Sequence, residues 1–149
     1  MSELASEPST QRELRPAPYV DGDNEFFWDG ARQGRLLLQQ CSSCRSLRHP
    51  PGPLCRNCRS ADWTTVEAGG QGTIYSFVVP RHPAFPPFGS GYVIALIELE
   101  EGVRFLSNVT GCPPEDVHIG MPVELYFSDD GNGFSLPLFR PMASQEVPA

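Results

Sequence analysis

Four of the chain's five cysteines fall in one stretch, CSSCRSLRHPPGPLCRNC, as Cys41-x-x-Cys44 and Cys55-x-x-Cys58 with ten residues between the pairs. A C-x-x-C turn places two sulfurs on one side of a tight loop, at about the separation a tetrahedral ion requires. Two such loops facing each other close a four-sulfur cage, so the spacing predicts a metal centre. Pro50, Pro51 and Pro53 stiffen the connection and lower the entropy lost when the second loop meets the first. Zinc is the expected ion, with iron as the competing occupant of the same cage. A redox C-x-x-C site would need only one pair and a βαβ setting, which this sequence lacks. Four protein ligands leave no open coordination position, so such a centre holds shape and does no chemistry on a substrate. Glycine often follows the second cysteine of each pair, where the turn favours a permissive backbone. Here the residues are Arg45 and Arg59, which predicts slightly strained turns.

The thiols also bear on the compartment. The N-terminal MSELASEPSTQRELRPAP lacks the basic start and apolar run of a signal peptide. No segment approaches the ~18 consecutive apolar residues of a membrane span. A cytoplasmic setting is therefore expected, where thiols stay reduced and bind metal more readily than they pair. A net charge of −7 argues against general affinity for nucleic acid or anionic membranes. All eleven basic residues are arginine, which reads as a compositional bias of the source genome. With 149 residues, 40% of them apolar, the chain has material for one ordinary domain or for a small module attached to one.

Along the chain, residues 1–18 are polar and rich in Pro and Ser, and read as a disordered leader. Residues 19–34 predict a short helix, with Asp23 as cap, Phe26, Phe27 and Ala31 on one apolar face, and Gly34 ending it. Trp28 adds to an apolar load that is large for so short a helix, and that load packs either on the chain's own core or on a partner. Residues 35–68 are assigned to the ribbon: a strand over 35–40 leads into Cys41, the cysteine block ends near Ala61, and Gly69-Gly70-Gln71-Gly72 marks a boundary.

After that boundary the apolar period becomes two, and residues 72–79, 92–100, 103–110, 122–127 and 135–140 are five strand candidates. Glu101-Gly102 reads as a tight hairpin turn and residues 129–133 as a looser one. The proline-rich loop PRHPAFPPFGSG separates the first two strands, and no internal repeat is visible. Five short antiparallel strands over residues 69–142 fit a Greek-key barrel of the OB type, with a small β-sandwich as the competitor on periodicity alone. Residues 143–149 read as a disordered tail.

Arg35, Arg45, Arg48, Arg56 and Arg59 lie in or beside the cysteine block. They either offset the negative charge of a thiolate cage or form a basic patch for phosphate, of nucleic acid or of a phosphorylated ligand such as coenzyme A. On the second reading Arg45, Arg48, Arg56 and Arg59 are the candidate phosphate contacts. His49 is a spare ligand inside the ribbon, and His82 a loop residue of some interest. Cys112 reads as an idle thiol, and Glu98, Glu100 and Glu101 as a solvated turn. No nucleophile elbow, phosphate loop or dinucleotide fingerprint is present, and no catalytic constellation is found.

The ordered set of motifs resembles a family of small zinc-ribbon/OB-fold proteins, first described as a domain of unknown function, that accompany thiolase-like acyl-CoA enzymes. The resemblance rests on Phe27-Trp28 with Gly34-Arg35-Leu36, the two C-x-x-C pairs around Pro50-Pro51, and Gly72-Thr73-Ile74-Tyr75-Ser76. His82-Pro83-Ala84-Phe85, Tyr92 to Gly102, Ile119-Gly120-Met121-Pro122-Val123 and Phe139-Arg140-Pro141 complete it, so it spans roughly residues 20–142. It implies a mostly β chain, with an N-terminal helix and a rubredoxin-like zinc ribbon followed by a five-stranded OB-type barrel. It further implies structural zinc on Cys41, Cys44, Cys55 and Cys58.

The expected role is a non-catalytic accessory subunit of a thiolase-fold enzyme, foremost a retro-aldolase acting on steroid side-chain CoA thioesters, with a thiolase or an enoyl-CoA hydratase as other partners. The CoA thioester would be the partner's substrate. Phe26, Phe27, Trp28, His82, Phe85 and Phe88 are the expected partner or channel contacts. The alternative from another class is a single-stranded nucleic-acid module. The strands oppose it by carrying only Arg104 and Arg140 as basic residues.

Overall fold

The computed structural model describes residues 14–89 and 91–143. Residues 1–13 of the expected leader and 144–149 of the expected tail lie outside the described residues. The chain is mostly β, with one helix, a three-stranded ribbon and a closed five-stranded barrel.

Helix α1 (Glu25–Arg32) begins at Asn24, and its entry turn is closed by Asp21. Asp21 Oδ1 accepts the backbone N–H groups of Asp23 at 3.0 Å and Asn24 at 3.2 Å. Asp23 is therefore not the cap; the acceptor sits two residues earlier. Gly34, at φ +73°, ends the helix as expected. Gly30 is needed for close approach, since a Cβ there would lie 2.7 Å from Leu37 Cδ1.

The ribbon sheet has the order β2-β1-β3, all antiparallel: β1 (Leu37–Cys41), β2 (Leu47–Arg48) and β3 (Trp63–Glu67). Residues 63–67 carry no strand in the sequence reading, yet they pair with β1 over its whole length, from Leu37 opposite Glu67 to Cys41 opposite Trp63. Gln39 is fully buried between the neighbours, and its Oε1 accepts from Arg48 Nε at 2.7 Å and from Gly52 N–H at 2.9 Å. A buried amide oxygen left unpaired would be costly, so this pair of bonds pins β2 and the proline-rich connection onto β1.

The barrel closes in the order β4-β5-β6-β8-β7, with β4 (Gln71–Val78), β5 (Val93–Leu99), β6 (Arg104–Val109), β7 (Pro122–Asp129) and β8 (Ser135–Pro141). All five predicted strands are present, and closure decides for the barrel over the sandwich. β5 shows the period-two logic: Val93, Ala95, Ile97 and Leu99 point into the core, and a bulge between Ile74 and Ser76 bends β4 around it. Glu101-Gly102 forms the expected hairpin, with Gly102 at φ +86° and its N–H bonded to Leu99 O. The loop after β4 is not wholly irregular, for Pro86–Phe88 form one 3-10 turn.

The apolar core is continuous across the two parts. Phe27 from α1 and Leu36 and Leu38 from the ribbon belong to the same buried cluster as Ile74, Ile97, Phe105, Val123 and Phe139 of the barrel. Phe27 lies 6.0 Å from Phe105, centroid to centroid, which in turn lies 6.0 Å from Phe139. At ~25 cal/mol per Å² of apolar area, a shared cluster of this size couples ribbon to barrel far more firmly than a flexible linker would.

Candidate functional site

The two knuckles are built alike. In the first, Cys41 N–H bonds Ser46 O and Arg45 N–H bonds Cys41 O; in the second, Cys55 N–H bonds Ser60 O and Arg59 N–H bonds Cys55 O, all at 2.9 Å. Arg45 and Arg59 both adopt left-handed backbone, at φ 61° and 63°. CSSCRS and CRNCRS are thus a local repeat fourteen residues apart, a correction to the reading that the chain contains none.

The repeat brings the four sulfurs within 4.8 Å of one another, with Cys41 to Cys58 and Cys44 to Cys55 each at 3.5 Å. Tetrahedral zinc–thiolate geometry, with bonds near 2.3 Å, needs sulfurs about 3.8 Å apart, so the cage fits that ion with little adjustment. The proton affinities agree. The Cys44 N–H lowers the Cys41 thiol below its ordinary value. The Ser46 hydroxyl, with the N–H groups of Cys58 and Asn57, takes Cys55 down to about 5. Cys58 is instead pushed up to about 11: the Ser60 N–H pulls it down, but the Cys41 sulfur, desolvation and the Cys44 and Cys55 sulfurs together outweigh that bond. Sulfurs this close cannot all carry charge on their own, and a divalent cation removes the conflict.

His49 is not in this cage. Its ring lies 5.5 Å from Phe27 and 4.5 Å from Phe105, and burial lowers its pKa to about 4. It helps line a cleft of about 390 Å³ with Phe27, Trp28, Phe105, Leu106 and Leu138, where helix, ribbon and barrel meet. Sequence reasoning missed this cleft because its walls come from segments far apart in the chain.

The expected contact residues divide. Phe27 is buried in the common core and lines the cleft; Phe26 packs on Trp63 at 4.8 Å and Trp28 on Phe134 at 5.5 Å, both half-buried. His82 and Phe85 are exposed in the proline-rich loop, and Phe88 stacks between Phe85 at 5.3 Å and Tyr92 at 5.1 Å, with Arg15 over its ring. Among the arginines, Arg45, Arg56 and Arg59 are exposed, whereas Arg48 is buried, with Nε on Gln39 and Nη2 on Gly52 O at 3.0 Å. Arg48 therefore stands apart from the three exposed arginines. Cys112 is half-buried, and burial raises its thiol.

A closed cysteine cage on a ribbon, joined through a common core to a five-stranded barrel, defines the class of zinc-ribbon/OB-fold proteins. Residues 28–64 match the family described as the ChsH2 rubredoxin-like zinc ribbon domain, and residues 65–128 the ChsH2 C-terminal OB-fold domain. The chain belongs to this ChsH2 (DUF35) family.

It is 48% identical over 133 residues to a probable enoyl-CoA hydratase alpha subunit of Thermomonospora curvata, covering 89% of this chain and 42% of that protein. It is 43% identical over 112 residues to the 3-oxo-4,17-pregnadiene-20-carboxyl-CoA hydratase alpha subunit of Mycobacterium tuberculosis, covering 75% and 36%. The chain thus spans less than half the length of these two relatives. A DUF35 domain-containing scaffold protein of Methanocaldococcus jannaschii is 37% identical, covering 65% of this chain and 72% of that one. Among solved structures, a chain of the Ltp2-ChsH2(DUF35) aldolase superposes with a TM-score of 0.80 at 47% identity, covering 84% of this chain and 98% of that chain.

Among the described residues, no helix is long and apolar enough to cross a membrane.

Proposed function

We propose that this chain is a non-catalytic accessory subunit of a thiolase-fold acyl-CoA enzyme, a retro-aldolase that cleaves steroid side-chain CoA thioesters in the cytoplasm. The partner supplies the acid and base groups. This chain supplies interface area and one wall of the substrate channel, through the aromatic loop around Phe85 and Phe88 and the Phe26 and Trp28 side of α1. The observation that carries this reading is the likeness to the aldolase chain, which extends over 98% of that chain at 47% identity. The cysteine centre supports it, since four protein ligands leave a metal no position for substrate.

A second reading, with an enoyl-CoA hydratase as partner, is favoured by the names of the hydratase alpha subunits. The nucleic-acid reading loses ground, because the five barrel strands carry only Arg104 and Arg140 as basic residues and Arg140 is paired with Glu124 at 3.0 Å.

The test is co-expression with a thiolase-fold enzyme, assayed on a steroid side-chain CoA thioester. Release of a ketosteroid and a short acyl-CoA is expected only from the pair. Turnover by this chain alone, at a rate sensitive to His82 or Cys112 substitution, would overturn the accessory role.

A further inference from the structure

Arg48 is 8% exposed, and its guanidinium is only partly satisfied. Nε and Nη2 are taken by Gln39 and Gly52, while Nη1 is buried with no partner. A charged donor out of water without an acceptor is costly, more so than a neutral one. Arg48 lines a cavity of about 380 Å³ at the seam between ribbon and barrel, together with Ser46, Arg56 and Asn57 from the ribbon and Glu98 and Arg104 from the barrel. Three arginines against one carboxylate leave a lining charge of +2 (3 − 1), in a protein whose net charge is −7.

The local carboxylate offsets only one of the three charges. Glu98 meets Arg104 at 3.5 Å, and the Arg104 guanidinium also lies 3.7 Å from the centre of the Tyr75 ring, which holds it in place. Neither Arg48 nor Arg56 takes part in an ion pair among the described residues. Nor does the Arg48 guanidinium hydrogen-bond a cysteine, so it is not spent on the thiolate cage.

We propose that this seam is a binding site for a phosphate-bearing small molecule, with Arg48, Arg56 and Arg104 converging on phosphate oxygens. Guanidinium groups bind phosphate through parallel charge-assisted bonds, and Asn57 in the lining adds a neutral donor. The volume exceeds what a lone phosphate fills, so the group is carried on a larger molecule, and a nucleotide is the simplest carrier. This inference is independent of the partner-enzyme reading, because the site is formed wholly within this chain.

The test is titration of the zinc-loaded full chain with inorganic pyrophosphate and, separately, with ADP, followed by calorimetry and ³¹P NMR. Both are expected to bind, ADP more tightly; pyrophosphate binding at least as tightly would assign the site to the free anion and overturn the nucleotide carrier. R56Q and R104Q should each weaken binding about tenfold, the loss of one charge-assisted bond. E98Q should tighten it by freeing Arg104. R45Q and R59Q, exposed and outside the cavity lining, should leave it unchanged, and circular dichroism should show all five variants folded. No binding at millimolar ligand would overturn the proposal. So would equal losses in R45Q and R56Q, which would mark a diffuse basic surface instead of a site. Arg48 is left unaltered in these variants because it braces Gln39 and Gly52.

Discussion

Arg45 and Arg59 show what a single residue costs a knuckle. Both sit in left-handed backbone that an L-residue occupies at a penalty of roughly 1 kcal/mol, and that glycine adopts freely. Arg59→Gly should leave the ribbon as stable or raise its stability by up to about 1 kcal/mol, glycine's looser unfolded chain cancelling part of the gain. Arg59→Val, β-branched at the same angles, should lower it by on the order of 1 kcal/mol; chelator competition for the metal reads both changes. This strain was legible in the sequence because the knuckle turn is local and its usual glycine is absent.

His49 was not legible. Nothing near it in the chain announces that Phe27 and Phe105 will enclose it. Its consequence is a pH dependence. With a folded pKa of about 4 against 6.5, the unfolded chain binds the extra proton between those values. Stability is then fully present above about pH 6.5 and falls as pH drops toward 4, by on the order of 2 kcal/mol. His49→Phe should flatten this part of the curve in urea titrations at stepped pH; an unchanged slope would mean that His49 ionises freely in the fold.

At the scale of elements, the barrel strands were readable because each buries one face, and the alternation survives in the sequence. β3 was missed even though Trp63-Thr64-Thr65-Val66 is rich in strand-forming residues, because the polar, metal-dominated block before it drew the boundary to the glycines instead. The knuckle repeat was missed although CSSCRS and CRNCRS share four of six residues, because so short a match gains its meaning from the equivalent backbone bonds and dihedrals. The metal should bind at about one zinc per chain. Cys55→Ser should release it and free both knuckles. Strands β1 and β3 should remain protected from hydrogen exchange, because Leu36 and Leu38 are held in the common core and not by the ion. Loss of protection throughout the barrel would show that the metal holds the whole fold.

The loop between β4 and β5 carries its own element-scale prediction. Phe85 is 42% exposed and stacked on Phe88 among prolines, an arrangement that is already ordered before any partner arrives. Phe85→Ala with Phe88→Ala should weaken the complex by at least about 2 kcal/mol, with zinc content unchanged. Calorimetry with the partner enzyme decides it, and full-strength binding would shift attention to Phe26 and Trp28.

For the whole molecule, the order helix, ribbon and barrel was legible, but the single core joining them was not, since the glycines at 69–72 read as a boundary between ribbon and barrel. Phe27 explains part of the difference: an aromatic expected to pack on the core or on a partner lies against both Phe105 of the barrel and His49 of the ribbon. The barrel itself is unevenly sewn. β4, β5 and β6 form one continuous meander, and β7 and β8 one long hairpin joined by seven residue pairs. Between these two pieces, β4 meets β7 over three pairs, and β6 meets β8 over one, Val109 opposite Phe139. The closed barrel therefore has one seam much shorter than the others. The aromatic cleft lies along the looser join, with Phe105 to Asn108 on one lip and Leu136 to Leu138 on the other. That join is pinned by the Ser107 hydroxyl on Pro137 O at 2.7 Å and by Thr110 N–H on Phe139 O at 2.9 Å, so one wall of the cleft hangs on two single bonds where the other strands have a ladder.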